Sequence, residues 1–293
     1  KAGSALTAAK ENVAIGYEAM ALGDHANHDS SVAIGYQAAK MASGGQIQNS
    51  VVIGKEAGKG GAGDILRCVA IGRLALGDSG GDKNDTVAIG YEAGKAINSS
   101  AADGSTLIGY QAGRVMTSAT HTTAIGYQAL VANVVGDQNT AVGYQALYSN
   151  VGTDAEQANV AVGREAGYGI IANQFNICIG NKTMQKLSHA DADKNVAVGH
   201  EALKGSGTAA NNDGSLNVGV GHQAGFALTT GDVNTLVGFN AAYDLTTGSY
   251  NTVLGGESGK NITTASYLTL VGDQAGATIT TTGANGMIAI GHR

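Results

Sequence analysis

The side chains best able to do chemistry recur at a fixed phase, directly after a repeated glycine. Tyrosine holds that place at Tyr17, Tyr36, Tyr91, Tyr110, Tyr127 and Tyr144. The last four belong to consecutive repeats, so they form a candidate surface ladder: stacked rings could take a sugar face, or simply stack on one another for stability. Histidine takes the same place at His200, His222 and His292. Two nearby imidazoles could hold a metal, but no carboxylate recurs with them to orient the rings, so ordinary surface histidines are the simpler reading. The same holds for His25 and His28 in DHANHD. Gly58, Gly60 and Gly63 match G-x-G-x-x-G without the strand and helix a nucleotide fingerprint needs. Asp78–Asp85 (DSGGDKND) has acidic spacing suited to Ca²⁺ but lacks the EF-hand glutamate, and reads as a solvated loop. Thr278–Thr282 would bind ice only as part of a flat, regular threonine face. No Ser/His/Asp set, carboxylate pair or activated cysteine stands out, so no catalytic, cofactor-binding or metal residue is expected.

These columns exist because the whole chain repeats. NVAIGYEA, SVAIGYQA, TTAIGYQA, NTAVGYQA and NVAVGHEA are copies of one unit. The structural repeat glycines are Gly16, Gly35, Gly54, Gly72, Gly90, Gly109, Gly126, Gly143, Gly163, Gly180, Gly199, Gly221, Gly238, Gly255, Gly272 and Gly291, with 17 to 22 residues between neighbours. Three residues before each glycine stands Val, Ile or Thr, and one residue before it Ile, Val or, once, Leu254. Such residues are stiff at χ1 and suit a pleated strand. The residue between them is usually Ala, so alternation sends the branched pair one way and the alanine the other. The branched side is expected to fill a coil interior, and the alanine side to press against sister chains. The glycine marks a corner whose φ a side chain would penalise. Three residues later Ala returns in thirteen of the fifteen copies long enough to show it, Thr183 and Ser258 being the exceptions. Four residues before the glycine stands Asn, Ser or Thr, except at Cys68, Leu268 and Met287. Asparagine there can bond to the backbone of its own coil or stack on the next.

A period this short is too small for helix-pair repeats, which need ~33 residues or more. It fits one turn of a β-solenoid with two short strands and two corners. Collagen is excluded by the absence of proline, and the 46 glycines keep no three-residue period. A net charge of −6 without a basic block disfavours nucleic acid. Two distant cysteines, Cys68 and Cys178, make neither a disulfide framework nor a metal site. No apolar run approaches the ~20 residues of a membrane span, so direct membrane insertion is not expected. The chain opens on Lys1 without a signal peptide, as a fragment of a longer fibre protein would.

The [NST]-[VT]-A-[IV]-G motif resembles the head repeat of YadA-like trimeric autotransporter adhesins. Asn139–Leu147 (NTAVGYQAL) is also similar to repeats in bacteriophage tail fibres, and the longer period and the Tyr after the glycine lean that way. The resemblance implies an all-β, left-handed parallel β-roll of about sixteen coils spanning residues 1–293 as one domain, three chains around an axis, in a virion fibre or on a bacterial surface. It implies a non-enzymatic protein of attachment whose partners are its own copies and a host or cell-surface receptor, glycan or protein. The irregular loops His200–Asn217, Gly23–Ser30 and Lys59–Asp64 are the expected contact regions. The rival readings are a spacer whose recognition domain lies elsewhere and a fibre-borne polysaccharide depolymerase.

Overall fold

The computed structural model describes residues 1–3, 10–21, 28–42, 44–61, 63–77, 80–98, 104–152, 156–187, 192–205, 212–280 and 284–293. The chain forms two compact units: Lys1–Val142 with Val151–Glu156, and Gly143–Asn150 with Gln157–Arg293. Both are all-β, and both repeat one parallel rung.

In the first unit the strands are β1 (Val13–Ile15), β2 (His28–Asp29), β3 (Val32–Ile34), β4 (Ile47–Gln48), β5 (Val51–Ile53), β6 (Ile65–Leu66), β7 (Val69–Ile71), β8 (Lys83–Asn84), β9 (Val87–Ile89), β10 (Thr106–Ile108), β11 (Thr123–Ile125) and β12 (Thr140–Val142). The three-residue strands stack parallel and in register, β1-β3-β5-β7-β9-β10-β11-β12, Val13 beside Val32 and Thr123 beside Thr140. The two-residue strands β2, β4, β6 and β8 form a second parallel stack. The second unit stacks β13 (Val160–Val162), β14 (Ile177–Ile179), β15 (Val196–Val198), β16 (Val218–Val220), β17 (Thr235–Val237), β18 (Thr252–Leu254), β19 (Thr269–Val271) and β20 (Ile288–Ile290) in the same way. Every anticipated glycine directly follows one of these three-residue strands. The expected second strand of each coil is present only at β2, β4, β6 and β8 among the described residues.

The orientation of the strands corrects the sequence reading. The central residue points into the coil: Ala33, Ala88, Ala124, Ala161 and Ala197 have no exposed surface. The branched residues on either side are half-exposed or exposed, as in β3, β9 and β11, and Ile15 is 57% exposed. Alternation fixes that the two sets oppose each other, but not which set faces inward. The interior decides. It is narrow, and one or two long aliphatic groups per coil already fill it. A Cβ on Gly113 would lie 2.6 Å from Met116 Sδ and 2.9 Å from Leu107 Cδ2. Where the strand centre is Ala124, the large side chain comes instead from Leu130 in the following turn, which is fully buried. Interiors close-packed in this way tolerate little change of volume.

The repeat glycine is required twice over. At Gly109 φ is +136°, and at Gly238 it is +141°. A Cβ at either would also stand 2.3 Å from the carbonyl oxygen of the next repeat glycine, Gly126 or Gly255. Rungs come too close there for any side chain. Non-glycine residues share the left-handed region without such a demand, among them Gln111 and Leu130. Bonds between rungs hold them, as when Gln111 N–H donates to Tyr91 O at 2.8 Å.

Candidate functional site

Five columns of side chains distinguish the surface and lining of these coils. The innermost lies four residues before the glycine. In the second unit it is asparagine: Asn159, Asn176, Asn195, Asn217, Asn234 and Asn251, all buried. Each Oδ1 accepts the main-chain N–H of the equivalent residue one rung on, at 2.9–3.0 Å from Asn176 to Leu268. Each Nδ2 donates to a carbonyl that closes its own coil, such as Gly231 O from Asn217 (2.8 Å) and Gly248 O from Asn234 (2.9 Å). Both sequence expectations for this asparagine hold together. In the first unit Ser31, Ser50, Cys68 and Ser105 do the same work with one polar atom each. Ser50 Oγ accepts Cys68 N–H at 3.0 Å and donates to Ile65 O at 3.2 Å. Cys68 Sγ donates to Lys83 O at 3.1 Å. Cys68 and Cys178 are both buried thiols, and burial pushes the Cys178 thiol up, away from any nucleophilic use.

The second column is the one after the glycine. Tyr17 and Tyr36 stack at 5.4 Å, Tyr91 and Tyr110 at 5.1 Å, Tyr110 and Tyr127 at 5.1 Å with planes 7° apart. Their faces are turned on one another, so within the ladder a sugar meets ring edges and hydroxyls rather than a free face. Tyr144 belongs to the second unit, where the Arg164 guanidinium lies 5.9 Å from its ring. Two cations interrupt the column in the first unit: Lys55, 5.6 Å from the Tyr36 ring, and Arg73, 5.4 Å from the Tyr91 ring. His200 and His222 do meet, at 5.1 Å and tilted by 36°, but His222 goes on to stack on Phe239 at 5.4 Å. His200 Nε2 lies 3.7 Å from Glu201, and His292 Nε2 lies 3.3 Å from Asp273. Among the described residues no group of three or more His, Cys, Asp or Glu could hold a metal.

Beside it runs a column of carboxylates and amides two residues after the glycine. Gln37 and Lys40 both bond Glu18 and hold its carboxyl down at about 2, Lys40 with the larger effect. Glu92 takes Lys95, Gln111 and Arg114, and Glu201 takes Lys204 and Gln223. The acid groups of this column are thus engaged by neighbours and serve rung-to-rung cohesion.

The fourth and fifth columns were not anticipated. Five residues after the glycine, Tyr148 stacks on Tyr168 at 4.9 Å and Phe226 on Tyr243 at 4.8 Å. Five residues before it, Leu216, Val233, Tyr250 and Tyr267 are exposed on successive rungs, with Tyr250 on Tyr267 at 5.1 Å and 0°. Their separation by one repeat was the available signal.

The remaining candidates are partly placed. Gly58 lies in a left-handed turn, Gly60 bridges Met41, and a Cβ on Gly63 would strike the Gly81 backbone at 2.1 Å, so these glycines serve coil stacking. In Asp78–Asp85, residues 78–79 lie outside the described residues, while Asp82 accepts from Asp64 N–H (2.9 Å) and Asp85 pairs with Arg67 (2.6 Å). His28 is buried, its Nδ1 accepting Ile47 N–H at 3.0 Å, and His25 lies outside the described residues. Most of Gly23–Ser30, the centre of His200–Asn217, residue 62 of Lys59–Asp64 and Thr281–Thr282 lie there as well.

The fold and its columns define a class: parallel β-solenoid units lined by hydrogen-bonding ladders and faced by stacked side chains. No protein-family model matches the chain, and no curated protein or solved structure matches it.

Proposed function

We propose that the chain is a non-enzymatic segment of an attachment fibre, a left-handed β-roll that assembles as a homotrimer through its strand face. One observation carries this reading. In each unit the paired rows of Val, Ile and Thr beside the strand centres stay half-exposed or exposed over eight successive strands, Val13–Ile15 to Thr140–Val142 and Val160–Val162 to Ile288–Ile290. A continuous apolar face of that length marks an interaction surface. A second copy of the same regular face is its natural cover. The self-association therefore involves the branched side of the strands and not the alanine side. The number three, the left hand and the attachment role follow from the resemblance to adhesin-head and phage-fibre repeats.

The phage tail fibre, presenting a receptor-binding shaft or head on a virion, is the first setting. A bacterial trimeric adhesin head is the alternative, and a plain spacer the third. Affinity in such a fibre comes from many weak contacts repeated over chains and coils. The test is adsorption of the labelled full chain to a panel of bacterial and animal cells, with loops 23–30, 59–64 and 200–217 exchanged in turn. Loss of adsorption on exchange supports attachment through the loops. Adsorption to no surface favours the spacer.

A further inference from the structure

In the first unit the column after the glycine reads Tyr17, Tyr36, Lys55, Arg73, Tyr91, Tyr110, Tyr127. The residues sit one over another on successive rungs: Glu56 N–H donates to Tyr36 O, Leu74 N–H to Lys55 O and Glu92 N–H to Arg73 O. Lys55 and Arg73 are therefore neighbours in the middle of an aromatic stack, and both are exposed. They lean in opposite directions. The Lys55 ammonium lies over Tyr36 on one side, while Arg73 lies over Tyr91 on the other and donates from Nη1 to the Tyr91 hydroxyl at 3.3 Å. The stack is thus opened between two cations.

Like charges on adjacent rungs are destabilising. Elsewhere the charged columns answer this with opposite partners, as in Arg67–Asp85 and Arg114–Glu92. Among the described residues neither Lys55 nor Arg73 has a carboxylate within ion-pairing distance. The adjacent Glu56 is held by Lys59 at 2.9 Å. Inside the chain the two charges are met only by the Tyr36 and Tyr91 rings and, through space, by the Glu56 carboxylate that Lys59 already holds, which leaves them open to a closer anionic partner from outside.

We propose that Lys55 and Arg73 form an anion site for the acid groups of an acidic polysaccharide lying along the column. The phenol edges of Tyr17, Tyr36, Tyr91, Tyr110 and Tyr127 supply hydrogen bonds to its hydroxyls on either side. Rungs ~4.8 Å apart match about one sugar unit of an extended chain. The guanidinium engages a carboxylate or sulfate in a fork, and the ammonium supplies a point charge. Nucleic acid fits worse. Its single strands need free aromatic faces, which here are stacked on each other, and its affinity needs many cations, whereas the chain carries a net charge of −6. The inference rests on the attachment reading and names the ligand class for one surface of it.

The experiment measures binding of the full chain to polygalacturonate, dextran sulfate, neutral dextran and single-stranded DNA at low and high salt. Polygalacturonate separates carboxylate from sulfate as the acid recognised. The expected result is binding to at least one acidic polysaccharide that weakens with salt and falls tenfold or more in K55Q/R73Q. The control K182Q/K194Q removes the same charge elsewhere and should change binding less than twofold. Equal binding by K55Q/R73Q, equal binding to neutral dextran, tighter binding to DNA, or no binding to either acidic polymer would each overturn the site. Circular dichroism of each variant checks that the β fold is intact. Cell adsorption measured in parallel separates the two levels: adsorption that persists without polysaccharide binding removes this site alone, and adsorption to no cell removes the attachment reading.

Discussion

The two units build the same rung with different lining. In the second, an asparagine amide spans the coil; in the first, mostly a hydroxyl or thiol does. The difference is matched by what stands seven residues before the glycine. The first unit places His28, Ile47, Ile65 and Lys83 there, all buried and stacked as β2, β4, β6 and β8. The second places Asn173, Ala192, Gly214, Gly231, Gly248, Ala265 and Ala284 there, and the last rungs of the first unit likewise have Ala119 and Gly136. His28, Ile47, Ile65 and Lys83 stand beside Ser31, Ser50, Cys68 and Thr86, while Gly136, Ala192, Gly214, Gly231 and Gly248 stand beside an asparagine. The coil-closing bonds run from 2.7 to 3.1 Å from asparagine and from 3.2 to 3.4 Å from Ser50 and Ser105, whose hydroxyl is shared at Ser50 with Gln48 O at 2.8 Å. One backbone thus accepts two solutions, provided that volume and hydrogen bonds change together. The outer edge differs too: exposed Arg67 and Asp85 pair in the first unit, where the second exposes Leu216, Val233, Tyr250 and Tyr267.

The largest effect should be blind to this difference. Gly109→Ala and Gly238→Ala each force a Cβ to 2.3 Å from the next rung's carbonyl oxygen. Each should cost about 4 kcal/mol or more, since strain and overpacking combine. Chemical denaturation would detect it, and a tolerated alanine in one unit alone would break the common-rung account. Next comes the lining. Asn234→Ala orphans Asn251 N–H and Gly248 O inside the coil and should cost about 3–4 kcal/mol, whereas Ser50→Ala should cost about 1–2 kcal/mol. Equal losses would mean that amide and hydroxyl ladders do not differ in strength.

Lys83 sharpens the comparison at the bulky corner. It continues the column of Ile47 and Ile65, and burial pushes its ammonium down to about 8. The unfolded chain holds that proton up to ~10.4. Between those values the unfolded state binds more proton than the folded one, so stability should rise as pH climbs from about 8 to ~10.4. Lys83→Met should stabilise the chain at pH 7 by about 1–3 kcal/mol and flatten that rise. Melting curves at pH 7, 8.5 and 10 would check it; an unchanged slope in Lys83→Met would contradict it. The smallest effect is Tyr110→Ala, about 1 kcal/mol, from breaking two exposed stacks.

Strand, corner and period were legible because β-branched residues and glycine recur at one phase, and each has a backbone reason to do so. The asparagine ladder was legible for the same cause. The inside and outside of the strand were not, because alternation is symmetric. The inward placement of Ala124 follows only once Leu130 is known to fill the same coil. The left-handed Gln111 and Leu130 left no trace in residue type, since bonds between rungs impose their conformation. The stacked pairs Phe226–Tyr243 and Tyr250–Tyr267 were visible as one-repeat spacings at phases away from the glycine. Lys83 was hidden by its own polarity in a column of isoleucines.

The central claim is that the branched strand rows, and not the alanines, meet other copies of the chain. Light scattering of the full chain and of V220K/V237K, which charges two adjacent rungs of that face, tests it directly. The account predicts about three times the 29.2 kDa of one chain for the first and the mass of one chain for the second. A single-chain mass for the unaltered protein, or an assembly indifferent to both lysines, would contradict it.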